Sequence, residues 1–515
     1  MGGRDRSRRL RRGRHARGEA RARAAGPRRR HAMTPRITLL EPPLLERILA
    51  EAMTLLATQG ARVQDESARA LLAGAGASVD AAATRIPEAL LRAALASVPR
   101  RFHLYDRAGK PAVEYGGGRA HFDPGSSCVS VLDPATLEHR KARAADLVRL
   151  VQVTERLEAY EAQSTALVCD DVPTAIADVY RLFLVLWYSA KPVVTGAFTG
   201  ASTRLMVELL EAECGGAEAL RARPRAVFDV CPVPPLLWSE FACESLKILA
   251  RAGVPAEIVS VPLAGATAPV TLAGALVQHT AECLAGLAIH QLAAPGAPLV
   301  WGGAPAIFDM RTGTAPMGAI ETAMLDCAAA QVGRHLGLPT HGYLCGSDAK
   351  SVDAQAGLET GMAALLGVLG GINMISGAGM LDTLACHSVE KLVLDAEAIL
   401  AAQRLGRGIE PRGDSLALAM FARTGLAGDF LKLTETRDLF RKEQVLPSAV
   451  IDRGALGAWR QSGRPDAFAR ARSRVDALLA QYRRPPLEAA REGAMLALMR
   501  RLAAEAGLAG LPGVD

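Results

Sequence analysis

The chain has 515 residues, half of them hydrophobic, with only 4% aromatics, 49 glycines and a formal charge of +7. That size and apolar content fit two average domains or one elaborated α/β barrel, and nine cysteines without a C-x-x-C pair exclude a disulfide scaffold. The charge does not mark a nucleic-acid-binding surface: residues 1–32 hold 13 Arg against Asp5 and Glu19, a local net of +11, leaving −4 for residues 33–515.

The Arg-rich head lacks the apolar core of a secretory signal. It reads as a disordered basic arm for anionic polymers or lipid, or as an over-long reading frame with Met33 as the true start. Beyond it, Leu44, Leu45, Ile48, Leu49, Ala52, Leu55 and Leu56 form one helical stripe, ended by Gly60. A shorter helix around Leu71 and Leu72 and a third opened by Pro87 follow. Short strands and hairpins are expected over 101–132, around Phe102-His103-Leu104-Tyr105, Gly116-Gly117-Gly118 and His121-Phe122.

From about Ala144 apolar strand and helix signals alternate, with strands expected near 163, 193, 226, 256, 299, 340 and 372. An eighth strand comes from residues 416–421 or from the earlier hairpin region. Seven βα units in succession predict an α/β fold of the TIM (β/α)8 barrel type; no G-x-G-x-x-G follows the first strand to suggest an open doubly wound sheet. The expected division is a disordered head over 1–32, a helical and hairpin extension over 33–143, the barrel over 144–425, and C-terminal helices packed on it over 426–515. Two uncharged runs, 261–281 and 363–381, each divide into a strand and a helix, so no membrane span is expected.

In such a barrel the chemistry sits at the strand C-termini. The expected strand ends collect Cys169-Asp170-Asp171, Cys231-Pro232 with Trp238 beyond, Trp301-Gly302-Gly303, Tyr343 with Asp348, and Ser376-Gly377. Three of the eleven Trp and Tyr residues, Trp238, Trp301 and Tyr343, therefore fall at one mouth. Aromatic faces beside a carboxylate suit a quaternary ammonium ion, which has no N–H to donate and is held by cation–π attraction. Each aromatic is equally well explained as a cap on the barrel core. Asp170-Asp171 and the Asp348/Asp353 pair read as acid–base groups or as helix caps, and Lys350 as a turn lysine beside Asp348. Ten histidines show no H-x-H or H-E-x-x-H spacing, so local spacing supports no metal site. Hydrolase and kinase signatures (G-x-S-x-G, the P-loop) are also missing. Scattered cysteines fit reduced thiols in a cytoplasm.

Four stretches then carry a family resemblance: Gly346-Ser347-Asp348-Ala349-Lys350, Asp353-Ala354-Gln355-Ala356-Gly357-Leu358-Glu359, Gly371-Ile372-Asn373, and Ser388-Val389-Glu390-Lys391-Leu392-Val393-Leu394-Asp395-Ala396-Glu397. They resemble the trimethylamine methyltransferase family, and the resemblance extends from about Leu44 to the C-terminal region. It takes in Leu104-Tyr105-Asp106-Arg107, Lys191-Pro192 and Trp459 with Gly463. It implies a TIM barrel that passes a methyl group from a methylated amine to the cobalt of a corrinoid (cobalamin) carried by a separate small protein, with no cofactor bound by this chain. Some members contain pyrrolysine; this sequence has only standard residues, so the resemblance places it with the members that lack it, some of which use glycine betaine or related quaternary amines. Where the family pattern has His-Thr, this chain has Glu435-Thr436.

Methyl transfer from R–N(CH3)3+ to Co(I) releases a neutral amine, so it needs neither a general acid for the leaving group nor a protein nucleophile. The expected substrate-binding residues are Trp301, Tyr343, Trp238 and Asp348, in an assembly of several copies. The rival readings are another TIM-barrel enzyme (a zinc-dependent methyltransferase or a lyase) and a non-catalytic quaternary-amine-binding protein.

Overall fold

The computed structural model describes residues 35–514, so the Arg-rich head expected over 1–32 lies outside the described residues. Parallel strands each require a crossover, and the alternating strand and helix signals supply it. The first units are β1 (His121–Pro124), α1 (Ala144–Arg156), β2 (Gln163–Ser164) and α2 (Ala177–Tyr188). β3 (Val193–Gly196), α3 (Gly200–Cys214), β4 (Ala226–Val230) and α4 (Glu240–Ala252) follow. Then come β5 (Ala256–Ser260), α5 (Leu272–Ala293), β6 (Leu299–Gly303) and α6 (Ile320–His335). The last are β7 (His341–Gly342), α7 (Ala354–Gly370), β8 (Met374–Ala378) and α8 (Val389–Gly406).

Parallel pairing joins β2 to β6 in order, and β7 to β8 to β1. Between β6 and β7 the join is the Trp301–Thr340 bridge. Between β1 and β2, Glu161 N–H donates to Phe122 O at 3.0 Å and Cys128 N–H to Ala166 O at 2.9 Å. The strands thus run from β1 to β8 and return to β1, a (β/α)8 barrel. The eighth strand is the one from the hairpin region; residues 418–424 form an exposed helix instead. The barrel accordingly starts at His121, upstream of the expected residue 144, because a four-residue strand among Gly-rich turns reads like one arm of a hairpin.

The antiparallel hairpin Phe102–Tyr105 and Pro111–Tyr115 closes the N-terminal end of the barrel. Its Leu104, Val113 and Tyr115 pack on Ala162, Val194, Val227, Val300 and Met374, which the pleat directs inward. Among the described residues, the hairpin covers the N-terminal end and leaves the C-terminal end to the βα loops. On the outside, the helices Pro42–Thr58, Glu66–Gly74 and Glu88–Ser97 pack over α5. Sandwiched between them and the strands, α5 is apolar nearly all round. It is the one described helix long and apolar enough to cross a membrane, and 78% of its most apolar stretch is buried within the fold. Gly371, at φ 74°, supplies the left-handed turn that ends α7 and redirects the chain into β8. At the C-terminus, Ala467–Gln481 packs against α8 and α1, and Ala489–Glu505 against α3.

Candidate active site

Strands buried on both faces favour continuous apolar runs, yet three barrel strands carry an acid: Asp123 on β1, Asp229 on β4 and Glu257 on β5. Alternation along each strand turns these side chains into the barrel. On β6, Gly302 leaves the room that Glu257 needs, since a Cβ there would meet its carboxylate oxygen at 1.9 Å. His341 on β7, Ser376 on β8, Tyr343 just past β7, and Tyr115 rising from the hairpin complete a polar floor.

The floor is wired as a chain. Ser376 Oγ donates to Asp123 Oδ1, and His341 Nε2 meets Ser376 Oγ at 2.7 Å. Because the serine proton is committed to Asp123, Nε2 carries the proton on the histidine side. Nδ1 then accepts from Glu257 Oε2, with which it is in direct contact, so the proton of this contact belongs to the carboxyl. Tyr343 stacks on the imidazole, ring centroids 4.8 Å apart and planes 14° from parallel.

Among the described residues no lysine or arginine pairs with Asp123, Asp229 or Glu257. Asp123 Oδ2 and Tyr115 Oη have no hydrogen-bond partner, while Asp229, Glu257 and Tyr343 lie close enough to hydrogen-bond with one another. Burial raises all three carboxyls well above the usual carboxylate range; neighbouring acids raise Asp123 and Asp229 further, whereas hydrogen bonding with Asp229 and Tyr343 draws Glu257 part of the way back. Burial likewise lowers His341 to about 4, so the imidazole is neutral. Both tyrosines are raised, by burial first and then by Glu257, Asp123 and Asp229. Asp123 and Glu257 have no accessible surface, whereas Asp229 keeps some. Asp229, Glu257 and His341 also bring one donor atom each within 4.8 Å of one another, a set that could hold a metal ion. Local sequence spacing concealed it, because its members come from three separate strands.

Above the floor lies an apolar collar of Val259, Ala304, Ala306, Met317 and Tyr343, with Val261, Leu263 and Leu384 at its edge. Asp348 holds this collar in place. Its two carboxylate oxygens accept the N–H groups of Met317 and Gly318, at 2.9 Å each. Glu359 in turn accepts from Asp348 N–H at 2.9 Å. Asp348 therefore touches the loop that bears Met317, and burial raises its carboxyl.

The expected aromatic cage is not assembled. Tyr343 faces the barrel interior, but Trp301 and Trp238 lie in the layer between strands and helices. Trp301 alternates with inward-facing Gly302, donates Nε1–H to Ala329 O at 3.1 Å, and rests over Gly333 of α6. Trp238 fills the space over Gly286 of α5. Both glycines are required there, because a Cβ would meet the indole at 2.6 Å and 2.2 Å respectively. Asp170 pairs with Lys141 at the surface, and Lys350 with Asp382. Glu435 lies on an exposed C-terminal helix, bonded to Arg423. A separate cavity of about 620 Å³ lies between α7, α8 and residues 445–468. The Lys391–Asp395 pair at its wall serves the fold, Asp395 accepting Gly379 N–H at 2.8 Å.

Comparison with known proteins agrees with this architecture. Residues 6–507 match the sequence profile of the trimethylamine methyltransferase family. A trimethylamine methyltransferase of Methanosarcina mazei is 32% identical over 463 residues, covering 88% of this chain and 92% of that protein. The glycine betaine methyltransferase of Desulfitobacterium hafniense is 26% identical over 478 residues, covering 92% and 99%. The crystal structure of the Methanosarcina barkeri monomethylamine methyltransferase shares the fold, with a TM-score of 0.50 at 11% identity over 92% of this chain and 89% of that one. The chain belongs to the trimethylamine methyltransferase family.

Proposed function

We propose that this chain moves a methyl group from a quaternary or tertiary methylated amine, such as a betaine, to the Co(I) of a corrinoid borne by a separate small protein. The observation that carries this reading is the barrel floor: three buried carboxyls without a basic partner, under an apolar collar. A methylated ammonium ion matches both parts. Its charge is spread over methyl groups that pack on Val259, Met317 and the Tyr343 ring, while the carboxyls supply the counter-charge from below.

The corrinoid, presented at the mouth by its carrier, supplies the cobalt nucleophile. The chain's own residues bind and aim the cation. Asp229 is the floor carboxyl that keeps some accessible surface, and His341, fixed by Ser376 and stacked under Tyr343, holds that ring against the substrate. The collar keeps water from the carbon–nitrogen bond, so that the electrostatic attraction acts at low dielectric. Asp348, through Met317 and Gly318, sets the collar's position. With nine free cysteines, the working compartment is a reducing one such as the cytoplasm.

The test is methylation of a Co(I) corrinoid protein, or of free cob(I)alamin, followed by its absorption spectrum, with a panel of betaines and methylamines. Methylcobalamin forms with at least one of them; none from any donor would sink the assignment.

A further inference from the structure

Arg181 stands in the second turn of α2, which starts at the mouth end of the barrel, and only 2% of it is exposed. Its guanidinium lies across the ends of three strands. Nη1 donates to Ser127 Oγ, beyond β1, at 2.7 Å and to Thr165 O, just past β2, at 3.3 Å. Nη2 donates to Gly196 O of β3 at 2.7 Å. All three acceptors are neutral, and Nε has no hydrogen-bond partner. Among the described residues its one ion-pair contact is Asp178 Oδ1, 3.7 Å from Nη2 and too far to hydrogen-bond. By contrast, Arg225, also buried, hydrogen-bonds the Glu213 carboxylate through both Nε and Nη2. A buried guanidinium without a hydrogen-bonded carboxylate is short of negative charge. We propose that Arg181 binds an anionic group of the substrate, a carboxylate set a few bonds from the methylated nitrogen, so that the donor is a zwitterion.

The assignment rests on the methylated-amine reading above and narrows it. Gly196, whose carbonyl Arg181 holds, is the register partner of Asp229 on the adjacent strand β4. Adjacent strands lie about 5 Å apart, so positive and negative groups stand side by side at a separation that a short zwitterion spans. Ser127, Gly196 and Asp229 all keep accessible surface. Burial lowers the guanidinium from its ordinary value, opposed by Asp178 first and then by Asp229, which places Arg181 within the field of the floor. The Phe198 ring covers the guanidinium, its centroid 4.9 Å from Cζ, and so keeps the charge at low dielectric. Ser127 holds its hydroxyl on Nη1 from a left-handed backbone, φ 64°, that serine seldom adopts. A carboxylate would complete the charge that these neutral acceptors leave unmatched, and its planar pair of oxygens suits a guanidinium fork. A guanidinium that only laced the strand ends together would affect every donor alike.

Glycine betaine and choline test this, because they share a trimethylammonium head and differ in a carboxylate against a hydroxymethyl group. Each is titrated into the full chain by calorimetry and then offered as methyl donor to free cob(I)alamin. The wild type binds glycine betaine about a hundredfold more tightly than choline. Arg181→Met closes that gap by weakening glycine betaine, and Arg181→Lys, which keeps the charge, retains part of it. The wild-type comparison decides the matter even where a variant misfolds. Equal affinity for the two ligands in the wild type would overturn the proposal. So would an Arg181→Met protein that folds and either keeps the preference or weakens both ligands alike. In each of these cases the methylated-amine reading stands; a wild type that neither binds nor demethylates either ligand would overturn both.

Discussion

Glu213 and Glu257 are both buried glutamates, and their surroundings are opposite. Glu213 on α3 accepts from Arg107 Nε and Arg225 Nε at 3.1 Å each, and from Arg225 Nη2 at 3.2 Å. Burial pushes its carboxyl up, but the two guanidinium groups outweigh burial and hold it below the usual range. Glu257 sits among Asp229, Asp123 and a neutral His341, with burial raising it unopposed by any cation. The same residue type is scaffold in one place and binding machinery in the other. What separates them is whether the protein supplies the counter-charge.

The comparison breaks first at the floor. Asp229→Asn with Glu257→Gln should lower kcat/KM by about a thousandfold (~4 kcal/mol), because the cation loses its counter-charge at low dielectric. The melting temperature should hold or rise, since unpaired buried acids are removed. Initial rates and calorimetry on one preparation check both halves, and an active double variant would remove the floor from the site.

Next in size, Trp301→Ala empties a large volume between β6 and α6. It should cost about 4 kcal/mol of stability in urea unfolding while leaving KM unchanged for the protein that folds. A marked rise in KM would return Trp301 to the substrate pocket.

Glu213→Gln sharpens the other half. It leaves two buried guanidinium groups short of charge and should cost about 3 kcal/mol, again with KM unchanged. A variant as stable as the wild type would show that the ion pairs are dispensable.

The smallest effect is the pH dependence, and its sign differs between the two sites. The floor carboxyls are raised, so cation affinity should strengthen as pH increases and they ionise, and KM should fall. Stability should move the other way: the folded state binds more protons there, and stability declines as pH rises from the ordinary carboxyl range toward the raised values. Glu213 is lowered, so its contribution is present above the ordinary glutamate pKa and is lost as pH falls through its lowered one. KM measured across pH should be flat in the Asp229→Asn/Glu257→Gln variant; a wild-type KM that rises with pH would contradict the assignment.

The barrel was largely legible in the sequence because its strands are apolar runs bounded by turns. The runs near 226, 256 and 299 start where β4, β5 and β6 do, while β7 and β8 open one and two residues beyond 340 and 372. β1 was hidden, its four residues lying between hairpins that share its composition. The site is less legible, since a residue's place at a strand end does not say which way the pleat turns it. Alternation turns Trp301 outward and Gly302 inward, so the more conspicuous residue is the structural one. The better signal lay inside the strands. An acid in the middle of Ala226–Val230 or near the start of Ala256–Ser260 is costly in a buried parallel sheet unless the interior uses it. Asp348 lies in the loop between β7 and α7, and only the structure shows its carboxylate spent on two backbone N–H groups.

The account rests on the barrel floor recognising charge, and binding calorimetry on the full chain tests that most directly. The ligands are a trimethylammonium compound and its neutral tert-butyl isostere, which match in shape and differ in charge. The cation should bind at least about tenfold more tightly to the wild type (~1.4 kcal/mol), and the difference should vanish in Asp229→Asn/Glu257→Gln. Equal affinity for the two ligands in the wild type would contradict it.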